Sequence, residues 1–305
     1  MVDTGRSDAV WAVTFHSDGM HFLSANGDGF RQWRIADGQE VRKQAGMNLN
    51  AVAVSRDHRW IVCGTQRGAS VWDAVKQEKA FEVEDRRVVA AIDISPDSSR
   101  FATGTGEVGI WSITTGQRLL LLEHDNDVRG VRFSPNGTRL ATACEHDDIR
   151  VFDSHNGDQL VTIRTITPSF YPITPLAWSN DGEQIFATSA DNRVKSFEVS
   201  TGSQLAESQV LTGTVESIAL AGNGKFIATF ANRSILFLDT SKLTQIGPAI
   251  EDSDDIRSIA LSPHTSHLAT GQYKGKVAIL NLNNVLPDSY GPFHVSDAGT
   301  SSIPR

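Results

Sequence analysis

Seven stretches of this 305-residue chain repeat one order of events: an alternating apolar run, a turn, a second run, a tight turn and a third run. The first runs read VWAVTFHSDG, LNAVAVSRDH, VAAIDISPDS, VRGVRFSPNG, ITPLAWSNDG, VESIALAGNG and IRSIALSPHT, with their sixth residues at Phe15, Val54, Ile94, Phe133, Trp178, Leu220 and Leu261. Successive spacings are 39, 40, 39, 45, 42 and 41 residues. The second runs, such as RFATGT and RLATA, alternate too, and the third runs end on Trp33, Trp72, Trp111, Phe152, Phe197, Leu238 and Leu280.

Alternation bounded by Pro, Asn, Asp and Gly predicts strands, because successive side chains in a strand point to opposite faces. No segment sustains a 3.6-residue period. One meander of short strands cannot bury both its faces, whereas seven stacked around an axis can, each sheet covering its neighbours. The expected fold is all-β: a seven-bladed β-propeller, each blade a four-stranded antiparallel meander. A single domain over residues 1–290 is expected, with repeats at about 8–46, 47–86, 87–125, 126–168, 169–212, 213–253 and 254–290. The polar tail 291–305 follows.

Composition narrows the setting. Hydrophobic residues make up 39% of the chain and charged residues 21%, and no apolar run approaches the roughly 18 residues of a membrane span. The opening MVDTGRSDAV lacks the pattern of a secretory signal. Two cysteines, Cys63 and Cys144, cannot make a disulfide framework and fit a reducing compartment, so a cytoplasmic or nuclear location is expected. A net charge of −8 with a pI near 5.6 argues against binding duplex nucleic acid by phosphate neutralisation.

The elements SPNG, LAT, DDIRVFD and SVWD resemble WD40 repeats, over about Asp8 to Leu282. No one of these motifs is specific, but seven in phase are. The texture of QWRIADGQE, IWSITTGQRL and FSPNGTRLATA is most similar to WD40-repeat proteins abundant in fungi. The resemblance implies a non-catalytic scaffold that presents a rim to peptide or protein partners, either as a monomeric propeller or within a larger assembly. It also implies a relay within each blade: a His before the first strand, a Ser or Thr of the second, a Trp of the third and an Asp of the hairpin between the last two.

In the fourth repeat those positions are His124, Thr142 and Asp147 or Asp148, with Phe152 where the Trp would stand. The first repeat keeps Ser24, Asp28 and Trp33 without the His, and Asp191 remains in the fifth. The segment CEHDD, Cys144 to Asp148, packs potential metal ligands together, as does EHDND from Glu123 to Asp127. Adjacent residues alternate across a strand or splay around a turn, and zinc sites use spaced ligands. CEHDD therefore reads as a hairpin, and neither a metal nor a cofactor is expected.

Enzymatic motifs are missing from the sequence. GTGEVG at Gly104 to Gly109 matches the dinucleotide-binding fingerprint, but a strand, GIWSI, follows where that motif needs a helix. There is no phosphate loop, nucleophile elbow or metalloprotease spacing of histidines. The run Leu119 to Leu122 reads as a strand against a neighbouring blade.

Rigid scaffolds display binding residues on their loops. The residue after the first apolar position of each first strand is Trp11, Asn50, Ala90, Arg129, Thr174, Glu216 or Arg257, expected to form one ring on the narrow face. All except Ala90 are candidate partner-binding residues, since aromatics and Arg are enriched among interface hot spots. Recognition of nucleic acid or a phosphorylated ligand by Arg129 and Arg257 is the alternative, and an enzyme on a propeller a weaker one. The connection around Phe170 and Tyr171 is a second contact candidate. Ring closure is expected from a short strand within Met1 to Ser7, from GPFHV near the C-terminus, or from a missing part of a longer protein.

Overall fold

A computed structural model of the chain describes residues 2–3, 8–85, 87–145, 148–165 and 175–290. These residues form seven four-stranded antiparallel sheets. Their innermost strands are Val10–Phe15, Leu49–Val54, Ala91–Ile94, Val128–Phe133, Leu176–Trp178, Val215–Leu220 and Ile256–Leu261. Each packs beside the inner strand of the next blade, and the first packs beside the seventh, so the sheets close into a ring.

Six sheets use four strands that are consecutive in the chain. The seventh is assembled from both ends: Val2–Asp3 pairs antiparallel with Lys276–Asn281, placing Val2 opposite Val277 and Asp3 opposite Lys276. Of the closures expected, this is the one made by the short N-terminal strand. GPFHV lies outside the described residues. No helix among the described residues is long and apolar enough to cross a membrane.

The core lies between the sheets. Each neighbouring pair of blades shares one apolar cluster, as when Val62 and Val71 of the second blade meet Ile92, Phe101 and Trp111 of the third. The ring closes on the cluster of Val10, Phe22 and Trp33 with Ala269 and Val277. Burying a side chain of this size contributes about 1.5–3 kcal/mol, so stacking supplies most of the stability that no single meander could. The outer strands carry the charge: Glu40–Ala45 is mostly exposed, which blunts an open sheet edge. The run at Leu119 divides, with Leu122 buried on the neighbouring blade while Leu119 and Leu121 are exposed.

The turn after each inner strand is built to one plan. Its last residue has a positive φ in every blade: Gly19, His58, Ser98, Gly137, Gly182, Gly224 and Thr265. Its amide N–H donates to the carbonyl three residues earlier, as from Gly137 to Ser134. Five blades begin this turn with serine, at Ser55, Ser95, Ser134, Ser179 and Ser262, whose hydroxyl accepts the N–H that restarts the next strand.

Candidate functional site

The residues predicted to form a ring lie where the inner strands begin, and the backbone there is irregular. The ladder between first and second strands slips between Val10 and Ala12, Leu49 and Ala51, Val128 and Gly130, and Ile256 and Ser258. Trp11, Asn50, Arg129 and Arg257 are therefore the extra residues of four β-bulges. Glu216 falls within a similar irregularity between Val215 and Ile218. A bulge leaves one residue outside the ladder and re-aims its side chain, which is how an alternating strand brings these side chains to one mouth of the central channel. Ala90 is buried just before its strand, and Thr174 lies outside the described residues.

Several of these polar groups are poorly satisfied. Asn50 Nδ2, Glu216 Oε2 and Arg257 Nε are buried with no hydrogen-bond partner in the protein. Burial pushes the Glu216 carboxyl above its ordinary range, Arg257 works against that shift, and Asp255 adds to it. Arg257 lies over the ring of Tyr273, 5.0 Å from its centroid, and Tyr273 is 50% exposed. Sequence reasoning missed Tyr273, although it is the one aromatic residue in the hairpins between second and third strands.

Arg129 is held within its own blade. Its guanidinium donates to Glu145 at 2.5 and 3.0 Å and reaches Asp127 at 3.4 Å, and Asp127 also meets Arg87 of the preceding blade at 3.4 Å. The accessible cation of this network is Arg87, with 65% of its side chain exposed against 11% for Arg129. Arg87, Asp127 and Arg129, together with Gln66, line a cavity of about 380 Å³ between blades. EHDND and CEHDD thus contribute Asp127 and Glu145 to an ion network, and Cys144 is fully buried in the core. Burial pushes the other cysteine thiol, Cys63, well above its usual range.

Further along the channel, Asp93 of the third blade pairs with Arg132 of the fourth at 3.1 Å and accepts the Phe133 N–H at 2.7 Å. A cavity of about 470 Å³ lies between the inner strands, with Trp11, Asn50 and Arg257 among its lining residues.

The relay positions are occupied unevenly. Trp33 Nε1 donates to Ser24 at 2.9 Å in the first blade, and Trp111 Nε1 to Thr103 at 2.9 Å in the third. In the fourth, His124 Nδ1 donates to the Leu122 carbonyl at 3.0 Å, leaving Nε2 to accept from Thr142 at 2.9 Å. Phe152 packs against the edge of the His124 ring, with centroids 5.5 Å apart. Asp148 accepts the Thr165 N–H at 3.0 Å, while Asp147 lies outside the described residues. Asp28 stands 3.7 Å from both Arg31 and Lys43, and Asp191 pairs with Lys195 at 2.7 Å. The seventh blade substitutes Asp252, whose carboxylate takes Thr270 at 3.1 Å and Gln272 at 2.6 Å.

Seven sheets in a closed ring, bulged at one mouth, define a seven-bladed β-propeller. Residues 100–170 match the family described as the anaphase-promoting complex subunit 4 WD40 domain, and residues 2–30 match the WD domain, G-beta repeat. The chain is a WD40-repeat protein.

It is 29% identical over 150 residues to eukaryotic translation initiation factor 3 subunit I of Scheffersomyces stipitis, a match covering 44% of this chain and 43% of that protein. It is 28% identical over 148 residues to small ribosomal subunit protein RACK1y of Oryza sativa subsp. japonica, covering 46% and 44%. The chain thus matches less than half the length of each of these relatives. Among solved structures, "Structure of U3-55K" superposes with a TM-score of 0.81 at 16% identity, over 92% of this chain and 98% of that one. "Crystal structure of RRP9 WD40 repeats" gives 0.81 at 15% identity, over 92% and 96%. At these identities the likeness is one of fold.

Proposed function

We propose that this propeller is a non-catalytic protein-interaction scaffold whose contact surface is the bulged rim around Trp11, Glu216, Arg257 and Tyr273. One observation carries the reading: Asn50, Glu216 and Arg257 present buried polar atoms without partners in the protein at a single channel mouth. Leaving such atoms unpaired costs about 1–3 kcal/mol each, and a bound protein or peptide that re-aims these side chains and supplies the missing bonds recovers it. Trp11 and the Arg257–Tyr273 pair add the aromatic and guanidinium character of interface anchors.

Relatives named as a subunit of an initiation factor and as a ribosomal subunit protein support work within protein assemblies and an intracellular setting. Against the nucleic-acid alternative, Arg129 is neutralised by Glu145 and Asp127, and the chain is acidic. Against an enzyme, the channel's best-placed carboxylate, Asp93, is committed to Arg132 and to a backbone amide.

The test is affinity capture from native lysate with the wild type and with a Trp11→Ala, Arg257→Glu, Tyr273→Ala variant of unchanged melting temperature. Loss of a protein partner from the variant is expected. Retention of the same partners by both forms overturns the rim assignment.

A further inference from the structure

At the far end of the same inner strands, the seven-fold plan of the turns is broken in two neighbouring blades. Where five blades have serine and the sixth Ala221, the first blade has His16. The second blade places His58 at the turn's positive-φ position, φ 62°, which the others fill with Gly, Ser or Thr. Neither histidine is needed to build the turn, since the other blades make it without one.

The ring arrangement sets these turns side by side. Ser17 Oγ donates to the Arg56 carbonyl at 2.8 Å and lies 3.2 Å from His58 Nδ1. The His16 and His58 rings lie nearly parallel, 11° apart, with centroids separated by 6.4 Å. One ligand atom each from His16, Asp18 and His58 falls within 4.8 Å of the other two.

The cluster has the parts of a coordination site. His16 is only 4% exposed, and its Nε2 is buried without a hydrogen-bond partner in the protein. A buried imidazole nitrogen with no partner calls for an explanation. Asp18 is already oriented: Oδ1 accepts the N–H groups of Met20 and His21 at 2.7 and 3.0 Å, and Oδ2 takes His21 Nδ1 at 2.8 Å. A ligating carboxylate held by hydrogen bonds in this way is the usual support of a metal site.

We infer that His16, Asp18 and His58 form a binding site for a divalent transition-metal ion, zinc being the first choice, which links the first blade to the second. Two imidazoles and one carboxylate suit zinc and its neighbours and not calcium or magnesium, which prefer all-oxygen ligands. Three protein ligands leave a fourth tetrahedral position for water or for a side chain from a partner. The site is separate from the bulged rim, at the opposite end of the strand that carries Trp11, and does not depend on that rim's function.

The experiment is calorimetric titration of the chelator-stripped chain, carrying no polyhistidine tag, with zinc chloride, followed by cobalt chloride with the absorption of the bound ion recorded. The expected result is one ion per chain, a tetrahedral cobalt spectrum and a zinc-dependent rise in melting temperature. His58→Ala, at an exposed position, should weaken binding at least about tenfold, in line with the loss of a ligand. His16→Ser, which installs the serine of the other blades, should do the same in a folded chain. His155→Ala, on a distant turn, should leave binding unchanged. Absence of stoichiometric binding overturns the inference, and so does binding that survives both His58→Ala and Asp18→Asn.

Discussion

Asp93 accepts the backbone N–H of Phe133 at 2.7 Å, so a side chain of the third blade completes the ladder of the fourth. Its other oxygen holds Arg132 at 3.1 Å, and the carboxylate is only 18% exposed. Removing it leaves a partly buried guanidinium and an amide without partners. Asp93→Ala should therefore lower stability by about 1.5–3 kcal/mol, the range for hydrogen bonds to charged groups. Asp93→Asn, which can still accept from Phe133, should cost less. Urea unfolding checks both, as a lower midpoint at unchanged slope.

Within the fourth blade, His124 and Thr142 should behave as one unit. Thr142→Val removes the hydroxyl at nearly constant shape and should cost about 1 kcal/mol. His124→Ala should cost more, because the packing on Phe152 is lost as well. In a double-mutant cycle the two should couple by about 1 kcal/mol, and additive effects would show that the 2.9 Å contact contributes nothing.

His16 makes stability depend on pH in the metal-free chain. Burial pushes its pKa down to about 4; Asp18 acts in the opposite sense, while His21, His58 and Arg42 add to the lowering. Between about 4 and the unfolded value of 6.5 the unfolded chain binds the extra proton, so stability is full above 6.5 and falls as pH drops toward 4. Between pH 7 and pH 5 the loss should reach about 2 kcal/mol. His16→Ser should lose that part of the pH dependence, which chemical denaturation at the two pH values measures.

The seventh blade depends on a strand of two residues. Val2→Pro fixes φ and removes a backbone N–H in the two-residue strand that pairs with Val277 and Lys276. Amide exchange along Lys276–Asn281 should accelerate, while the second to fifth blades keep their protection. Equal loss of protection in every blade would mean that the ring opens only as a whole.

The strands were legible because seven copies of a weak pattern reinforce one another. Trp33 with Ser24 could be placed from one repeat, since both lie in a single hairpin. The closing strand was among the expected options; what escaped was set by side-chain contacts between blades or by local irregularity. The bulges that turn out Trp11 and Arg257 have no residue signature of their own. Arg129 read as a rim contact because its partners, Asp127 and Glu145, sat in segments that resembled ligand clusters. His16 and His58 stand 42 residues apart and meet only because equivalent turns of adjacent blades touch. A comparison of the seven first runs, column by column, would have exposed both as departures.

The sheet that joins the two ends of the chain also sets an order on folding. Six blades can pair as soon as their own forty or so residues are available, but Val10 meets Ser258 across 248 positions of sequence. Contacts that distant close late, because the entropy of the loop must be overcome before they stabilise anything. Until the seam between first and seventh blades closes, the apolar faces that Val10 and Phe22 share with Ala269 and Val277 stay uncovered.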